Sequence, residues 1–182
     1  LEFRRVLFRS DRLRLLRNQG QDPERTYYHP ELGFNYRLTN LQAAVGLAQL
    51  ERIEDHLAQR TRVCLRYESA LADLDHVVHM PPTPGDCAHG NWMFTVVLRE
   101  GGAQRRDELR RILGDDGIET RPGFTPIHRL PMHAQEGDFP VADWVGDGAI
   151  SLPTFAGLPD ADVDFVAGRL RSALGAAVRT RA

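Results

Sequence analysis

Gly33-Phe-Asn-Tyr-Arg-Leu-Thr-Asn-Leu-Gln-Ala-Ala-Val-Gly-Leu-Ala-Gln-Leu-Glu-Arg-Ile53 passes from a polar, aromatic loop into a run of apolar residues at helical spacing. Thr39-Asn-Leu-Gln42 has the pattern of a capping box, in which the Thr hydroxyl and the Gln side chain satisfy backbone N–H groups that a helix start leaves without partners. A helix is therefore expected from that point. Leu41, Val45 and Ala48 form one stripe, and Ala43, Leu47, Leu50 and Leu57 another, so both sides of the first turns are apolar, the pattern of a buried helix. Charge returns at Glu51-Arg-Ile-Glu-Asp55, and a second stripe of Val63, Tyr67, Leu71 and Leu74 follows. The whole reads as a long helix, bent near His56, that leaves one domain and enters the next.

Upstream, Leu13, Leu15 and Leu16 mark a short helix over Asp11–Arg17 that stops at Asn18-Gln19-Gly20, and the aperiodic stretch Gln21–Arg37 reads as loop. Downstream, Pro81-Pro-Thr-Pro-Gly85 breaks the chain, and Trp92–Leu98 has the large and branched residues of a strand. Leu109, Ile112 and Leu113 predict a helix ended by Gly114, and Gly117–Thr120 a short strand. A proline-rich loop then runs to His133. Asp138–Asp147 reads as helix, Ala149–Leu152 as strand, and Val163, Val166, Leu170 and Leu174 as a closing helix. Asp160 and Asp162 in its first turn, with Arg169 and Arg171 further along, follow the order the helix dipole prefers. Strands alternating with helices give a small α/β layer.

Composition narrows the function classes. The chain has 182 residues and a net charge of −2, and every one of its 23 basic residues is Arg. A mildly acidic chain lacks the basic surface that sequence-independent nucleic-acid binding needs. No apolar run approaches the ~20 residues of a membrane span. Cys64 and Cys87 have no disulfide or metal-site spacing, which fits a reduced, cytoplasmic setting. The His pairs 76/79 and 128/133 have no Cys or carboxylate cluster to complete a metal site.

A second loop, Gly117-Ile-Glu-Thr-Arg-Pro-Gly-Phe-Thr-Pro-Ile-His128, is as dense in Arg, aromatic, Pro and His residues as the first. Taken in this order, the two loops resemble the C-terminal part of the DegT/DnrJ/EryC1/StrS family, pyridoxal-phosphate (PLP) aminotransferases that act on nucleotide-linked keto-sugars. The resemblance covers residues 11–182. It implies the C-terminal part of a fold-type I PLP-dependent transferase: residues 11–60 as the tail of the large PLP-binding domain, with a partner-facing loop and connecting helix, and residues 61–182 as the small C-terminal α/β domain. It also implies a homodimer in which Asn35 reaches the phosphate of the partner's PLP, Arg37 lies beside it, and Tyr36 borders the sugar-nucleotide site. An amide donor and a planar guanidinium fork suit phosphate oxygens. Arg121, Phe124 and His128 are placed at the nucleotide-sugar pocket, with Thr125 standing where many relatives carry an aromatic residue. Read without the resemblance, Tyr36 packs, Arg37 pairs with a carboxylate, Asn35 closes a turn, and His128 bonds to backbone. Tyr27, Tyr28 and His29 either shape a dimer interface or lie in solvent.

Such enzymes hold PLP covalently on a Lys amine, and this sequence contains no Lys. No catalytic residue is therefore assigned, and the chain alone is not expected to turn over. The parent protein is expected to move an amino group, from glutamate, onto a nucleotide-linked 4-keto-6-deoxy sugar destined for O-antigen, surface glycan or antibiotic. Two other readings stand beside it: a PLP-dependent sugar dehydratase of the same family, with His in the Lys position, and a non-catalytic dimerisation or nucleotide-sugar-binding module. Leu1-Glu-Phe-Arg-Arg-Val-Leu-Phe-Arg-Ser10 matches a one-frame translation of a common sequencing adapter and is set aside as an artefact. Without its three Arg and one Glu the net charge is −4. A signal peptide at this position would need a longer apolar core and a cleavage site.

Overall fold

A computed structural model describes residues 2–80, 85–134 and 137–179, with side chains for all of these except 2–8, 79 and 176–179. Pro81–Pro84, which carry most of the expected chain break, lie outside the described residues. The chain divides into two compact units, Leu1–Arg52 and Ile53–Ala182. The division falls inside the segment read as one bent helix, eight residues before the expected 60/61 boundary.

The first unit contains α1 (Glu2–Arg17), a long loop and α2 (Asn40–Leu50). α1 begins nine residues before the expected Asp11 start. The capping box forms as its sequence predicts: Gln42 N–H donates to Thr39 Oγ1 at 3.2 Å, and Thr39 N–H donates to Gln42 Oε1 at 2.9 Å. Two expectations for α2 fail. The helix stops at Leu50, with a turn at Glu51–Arg52, so the interruption precedes His56. None of its residues is buried, and Leu41, Val45, Leu47 and Leu50 are all exposed. Apolar character on two faces states a demand for cover, and no described residue supplies it.

The second unit contains α3 (Ile53–Leu71), β1 (Val78–His79), β2 (Phe94–Leu98), α4 (Gly102–Asp115), β3 (Arg121–Pro122), α5 (Pro140–Gly148), β4 (Ala149–Leu152) and α6 (Asp160–Arg179). Its four strands form one sheet in the order β1-β2-β4-β3, and every neighbouring pair is antiparallel. β2 and β4 register as Phe94↔Leu152 through Val97↔Ala149. β4 is buried along its whole length. α3 and α6 pack on each other, and their stripes supply Val63, Tyr67, Leu71, Val163, Val166 and Leu170 to a core completed by Leu109 and Leu113 of α4. Tyr67 stacks on Phe94 with ring centroids 4.9 Å apart, and its hydroxyl donates to the Pro153 carbonyl at 3.1 Å. Burial drives the Tyr67 phenol well above its ordinary range. It also pushes the Cys64 thiol to about 11, with help from Glu68 and some opposition from Arg60, so this Cys serves as a packed, inert side chain.

Three element boundaries depart from expectation for local reasons. Leu74 lies in a short 3-10 turn after α3. α4 runs past Gly114 and closes in a Schellman arrangement, with Gly117 at φ +79° donating to the Gly114 carbonyl at 2.9 Å and Ile118 donating to the Leu113 carbonyl at 2.9 Å. Gly117–Thr120, read as a strand, is thus the helix stop, and pairing begins only at Arg121. β2 begins at Phe94, which leaves Trp92 outside the ladder.

Candidate functional sites on the two units

In the first unit the loop carrying Asn35, Tyr36 and Arg37 is fastened to the last turn of α1 by backbone atoms. Phe34 N–H donates to the Leu16 carbonyl at 3.0 Å, Tyr36 N–H to the Arg17 carbonyl at 2.9 Å, and Gln19 N–H to the Phe34 carbonyl at 3.0 Å. Asn18 and Asn35 form an isolated antiparallel bridge. Glycines permit this approach: a Cβ on Gly33 would sit 2.3 Å from the Gly20 nitrogen, and one on Gly20 would sit 2.0 Å from the Glu31 carbonyl oxygen. On this support Asn35 Oδ1 accepts from the Arg37 backbone N–H at 3.3 Å and from Arg37 Nε at 3.4 Å. With its carbonyl oxygen so engaged, the Asn35 amide nitrogen is the group left to donate outward. Tyr36 is exposed and lies beside Phe34, with ring centroids 5.8 Å apart. Among the neighbours, Tyr27 and Tyr28 are exposed, Tyr28 lies under the Arg25 guanidinium at 4.0 Å, and His29 Nδ1 meets the Gln19 carbonyl at 3.0 Å.

Arg121, Phe124 and His128 lie in the second unit, on a loop seated against α5. A Cβ on Gly123 would meet Ala149 Cβ at 2.7 Å, and one on Gly146 would meet Pro126 at 2.6 Å, so these two glycines let loop and helix touch. His128 closes the loop. Its Nε2 lies 3.0 Å from Asp143 Oδ1, its ring stacks on Phe139 at 4.5 Å, and only 13% of its side chain is exposed. Arg129 bridges Asp143 and Asp147, and its hydrogen bond holds the Asp147 carboxyl below the usual carboxylate range. The imidazole is thereby anchored by a carboxylate, where sequence reasoning allowed either a ligand donor or a backbone partner. With Nε2–H committed to Asp143, a neutral His128 presents Nδ1 as an acceptor. Phe124 is 75% exposed.

Arg121 opens onto a cleft that does not include Phe124 or His128. The cleft has a volume of about 440 Å³ and is lined by Arg60, Trp92, Glu119, Arg121, Pro153 and Phe155, with Ser151 and Thr154 in its floor. The floor is rigid, because Ser151 Oγ and Thr95 Oγ1 are 2.8 Å apart and Thr154 Oγ1 both accepts from Phe94 N–H and donates to the Leu152 carbonyl. Sequence reasoning passed over Arg60, Trp92 and Phe155. The sequence reading places Trp92 within the strand, and only the start of the ladder at Phe94 leaves its indole outside. Among the described residues no helix is long and apolar enough to cross a membrane.

Comparison with known proteins spans both units. The model of the DegT/DnrJ/EryC1/StrS aminotransferase family matches residues 9–171. GDP-perosamine synthase of Caulobacter vibrioides is 47% identical over 90% of this chain and 44% of its own length. The dTDP-3-amino-3,4,6-trideoxy-alpha-D-glucose transaminase of Streptomyces venezuelae is 34% identical over 79% of this chain and 37% of its own. The solved aminotransferase TlmJ from Streptoalloteichus hindustanus superposes with a TM-score of 0.82 at 26% identity, covering 92% of this chain and 45% of that one. The chain thus spans less than half the length of the curated relatives it matches.

Proposed function

The chain belongs to the DegT/DnrJ/EryC1/StrS aminotransferase family, and from that premise we propose that it is the C-terminal portion of a PLP-dependent, cytoplasmic aminotransferase acting on nucleotide-linked 4-keto-6-deoxy sugars. The observation that carries this reading is the Asn35-Tyr36-Arg37 loop: a fixed amide donor beside a guanidinium, both exposed. These residues suit the cofactor's phosphate. They do not supply its covalent anchor, because the 182 residues contain no Lys. When bound, PLP supplies the electron sink that amino-group transfer requires. In a homodimer of the parent enzyme, Asn35 donates through its amide to the phosphate of the partner's cofactor, and Arg37 adds charge through its terminal nitrogens. Tyr36 borders the sugar nucleotide, and Arg121 and Phe124 line its approach. His128 holds their loop in register through Asp143. Glutamate is the proposed amino donor, and the exposed apolar helix α2 is proposed to be covered in the assembled parent.

The test begins with the genomic DNA upstream of Asp11. A reading frame that continues upstream and encodes a Lys in the cofactor segment is expected, and its product should transfer the amino group of glutamate to a nucleotide-linked keto-sugar. In that enzyme Asn35→Ala should weaken PLP binding by roughly 10- to 100-fold, the loss of one hydrogen bond to a charged group. A His codon in the Lys position would mean a sugar dehydratase. A start codon placed directly before Leu1 would remove the aminotransferase reading and favour a non-catalytic binding module.

A further inference from the structure

A second cleft of the same unit, of about 460 Å³, is lined from α3 by Cys64 and Glu68, just after β1 by Met80, and from the approach to β2 by His89, Trp92 and Met93. That approach is fastened to α3. Arg60 donates to the Asn91 and Trp92 carbonyls at 3.4 and 2.9 Å, Asn91 Nδ2 donates to Thr61 Oγ1 at 2.9 Å, and His89 Nδ1 lies 2.9 Å from the Asn91 backbone nitrogen. Phe94, also in the lining, is held by its stack on Tyr67. Glu68 carries the only carboxylate among the described lining residues, which include no Lys or Arg, and it makes no hydrogen bond or ion pair with any described residue. Its charge is nonetheless felt at the inner wall. After burial, Glu68 is the next cause that pushes the Cys64 thiol up, and the opposing pull of Arg60 is smaller. The wall thus faces an unmatched negative charge.

The other walls narrow what such a hollow can hold. A bare metal ion would use the carboxylate and leave the thioether and aromatic surfaces idle. A neutral apolar molecule would strip water from Glu68 and return nothing for it. An anionic ligand would meet like charge. A positive nitrogen on an apolar body suits every wall: the carboxylate attracts its charge, the face of an indole attracts cations, and Met side chains adapt to irregular hydrocarbon. Trp92 is 63% exposed and so has a surface to offer, and the cleft's volume lies within the range of small-ligand sites. From Glu68, Trp92 and the two Met side chains we propose that this cleft binds a small organic ammonium ion, its charge at Glu68 and its hydrocarbon against Met80, Met93 and Trp92. The site is separate from the cleft onto which Arg121 opens, with which it shares only Arg60's two neighbours Trp92 and Met93. It does not rest on the aminotransferase reading.

The sequence has two Trp residues, and Trp144 lies outside the cleft, with its indole N–H on the Leu98 carbonyl at 2.8 Å. In a Trp144→Phe background Trp92 is therefore the sole indole reporter. Titration of that 182-residue chain with benzyltrimethylammonium should change Trp92 emission saturably. Tetramethylammonium has the charge without the ring, and benzyl alcohol the ring without the charge; each should bind at least about 5-fold more weakly, and benzoate should not bind. Glu68→Gln should weaken binding of the benzyl cation by about 3- to 5-fold, the scale of an exposed charge pair, and Met80→Ala by about 3-fold. Because Trp92 borders both clefts, Glu119→Gln serves as the control: Glu119 lines only the other one, and its loss should leave the affinity unchanged. Raising salt from about 20 to about 300 mM should weaken binding by the parent chain and not by Glu68→Gln. A chain that melts cooperatively yet shows no saturable change overturns the proposal. So does benzyl alcohol binding as tightly as the cation, or a loss with Glu119→Gln in place of Glu68→Gln, which would move the ligand to the other cleft. If Glu68→Gln does not melt cooperatively, the salt series on the parent chain decides, and an affinity independent of salt has the same meaning.

Discussion

Helices α2 and α3 invert the usual relation between composition and burial. α2 contains no charged residue, yet none of its residues is buried; α3 carries Glu54, Asp55, Arg60, Arg62, Arg66 and Glu68, and it buries Val63, Cys64, Tyr67 and Leu71. The difference lies in what each helix has to pack on. α3 packs along α6, and the ion pairs that Arg62 and Arg66 make with Asp160 and Asp164 flank that contact, so its polar residues are used as well as its apolar ones. α2 has an apolar surface and no described residue to cover it. Apolar sequence therefore measures a requirement for contact, and the contact itself must come from a partner surface, in this chain or in another.

The contrast can be broken at its strongest point first. Leu71→Ala, which empties a fully buried site on α3, should destabilise the second unit by ~2–5 kcal/mol, read from its denaturant midpoint. A change below ~0.5 kcal/mol would show that the α3–α6 contact is not what holds the unit. Leu41→Gln combined with Leu50→Gln on α2 should leave that midpoint within ~0.5 kcal/mol while reducing self-association in light scattering. If the double variant instead unfolds the chain, α2 is covered in solution and the comparison fails. The smallest expected effect concerns pH. Hydrogen bonds from Arg66 and Arg171 hold the Asp164 and Asp73 carboxyls below their usual range. A depressed folded value makes such a pair stabilising above the unfolded carboxylate pKa of about 3.9, and that contribution is lost as pH falls through the folded value. The melting temperature of the second unit should therefore hold from neutral pH down to about pH 4 and decline below it, with Asp164→Asn showing the shallower acid limb.

Local signals were the ones that survived translation into structure. The capping box at Thr39–Gln42, the α3 stripe from Val63 to Leu71 and the α6 stripe from Val163 to Leu174 were all readable, because each rests on contacts three or four residues apart or on one continuous buried face. The misread segments depend on longer connections. β1 and β3 contain two residues each, too few to show alternation, and they exist only because β2 and β4 offer ladder partners. Gly117 looked like the head of a strand because nothing in its neighbours reveals a positive φ. The exposure of α2 was invisible for a different reason, since composition cannot report whether a partner is present.

The candidate site residues divide in the same way. Asn35, Tyr36, Arg37, Arg121, Phe124 and His128 stood out as unusual residue types crowded into two loops. Arg60, Trp92 and Phe155 lie far apart along the chain and meet only when α3, the approach to β2 and the exit from β4 are assembled. The role of Asp143 as anchor of His128 was equally out of reach, because it depends on α5 folding over the loop.

The clamp between α1 and the Asn35 loop is made by peptide groups of residues 15–20 and 33–36, with two glycines keeping the space open. A scaffold of that kind separates position from identity. Side chains at 34, 36 and 37 can be exchanged for others without moving the places from which they act, so the chemistry offered to a ligand can be revised one residue at a time. Gly20 and Gly33 have no such latitude, since any side chain there closes the gap on which the whole arrangement depends.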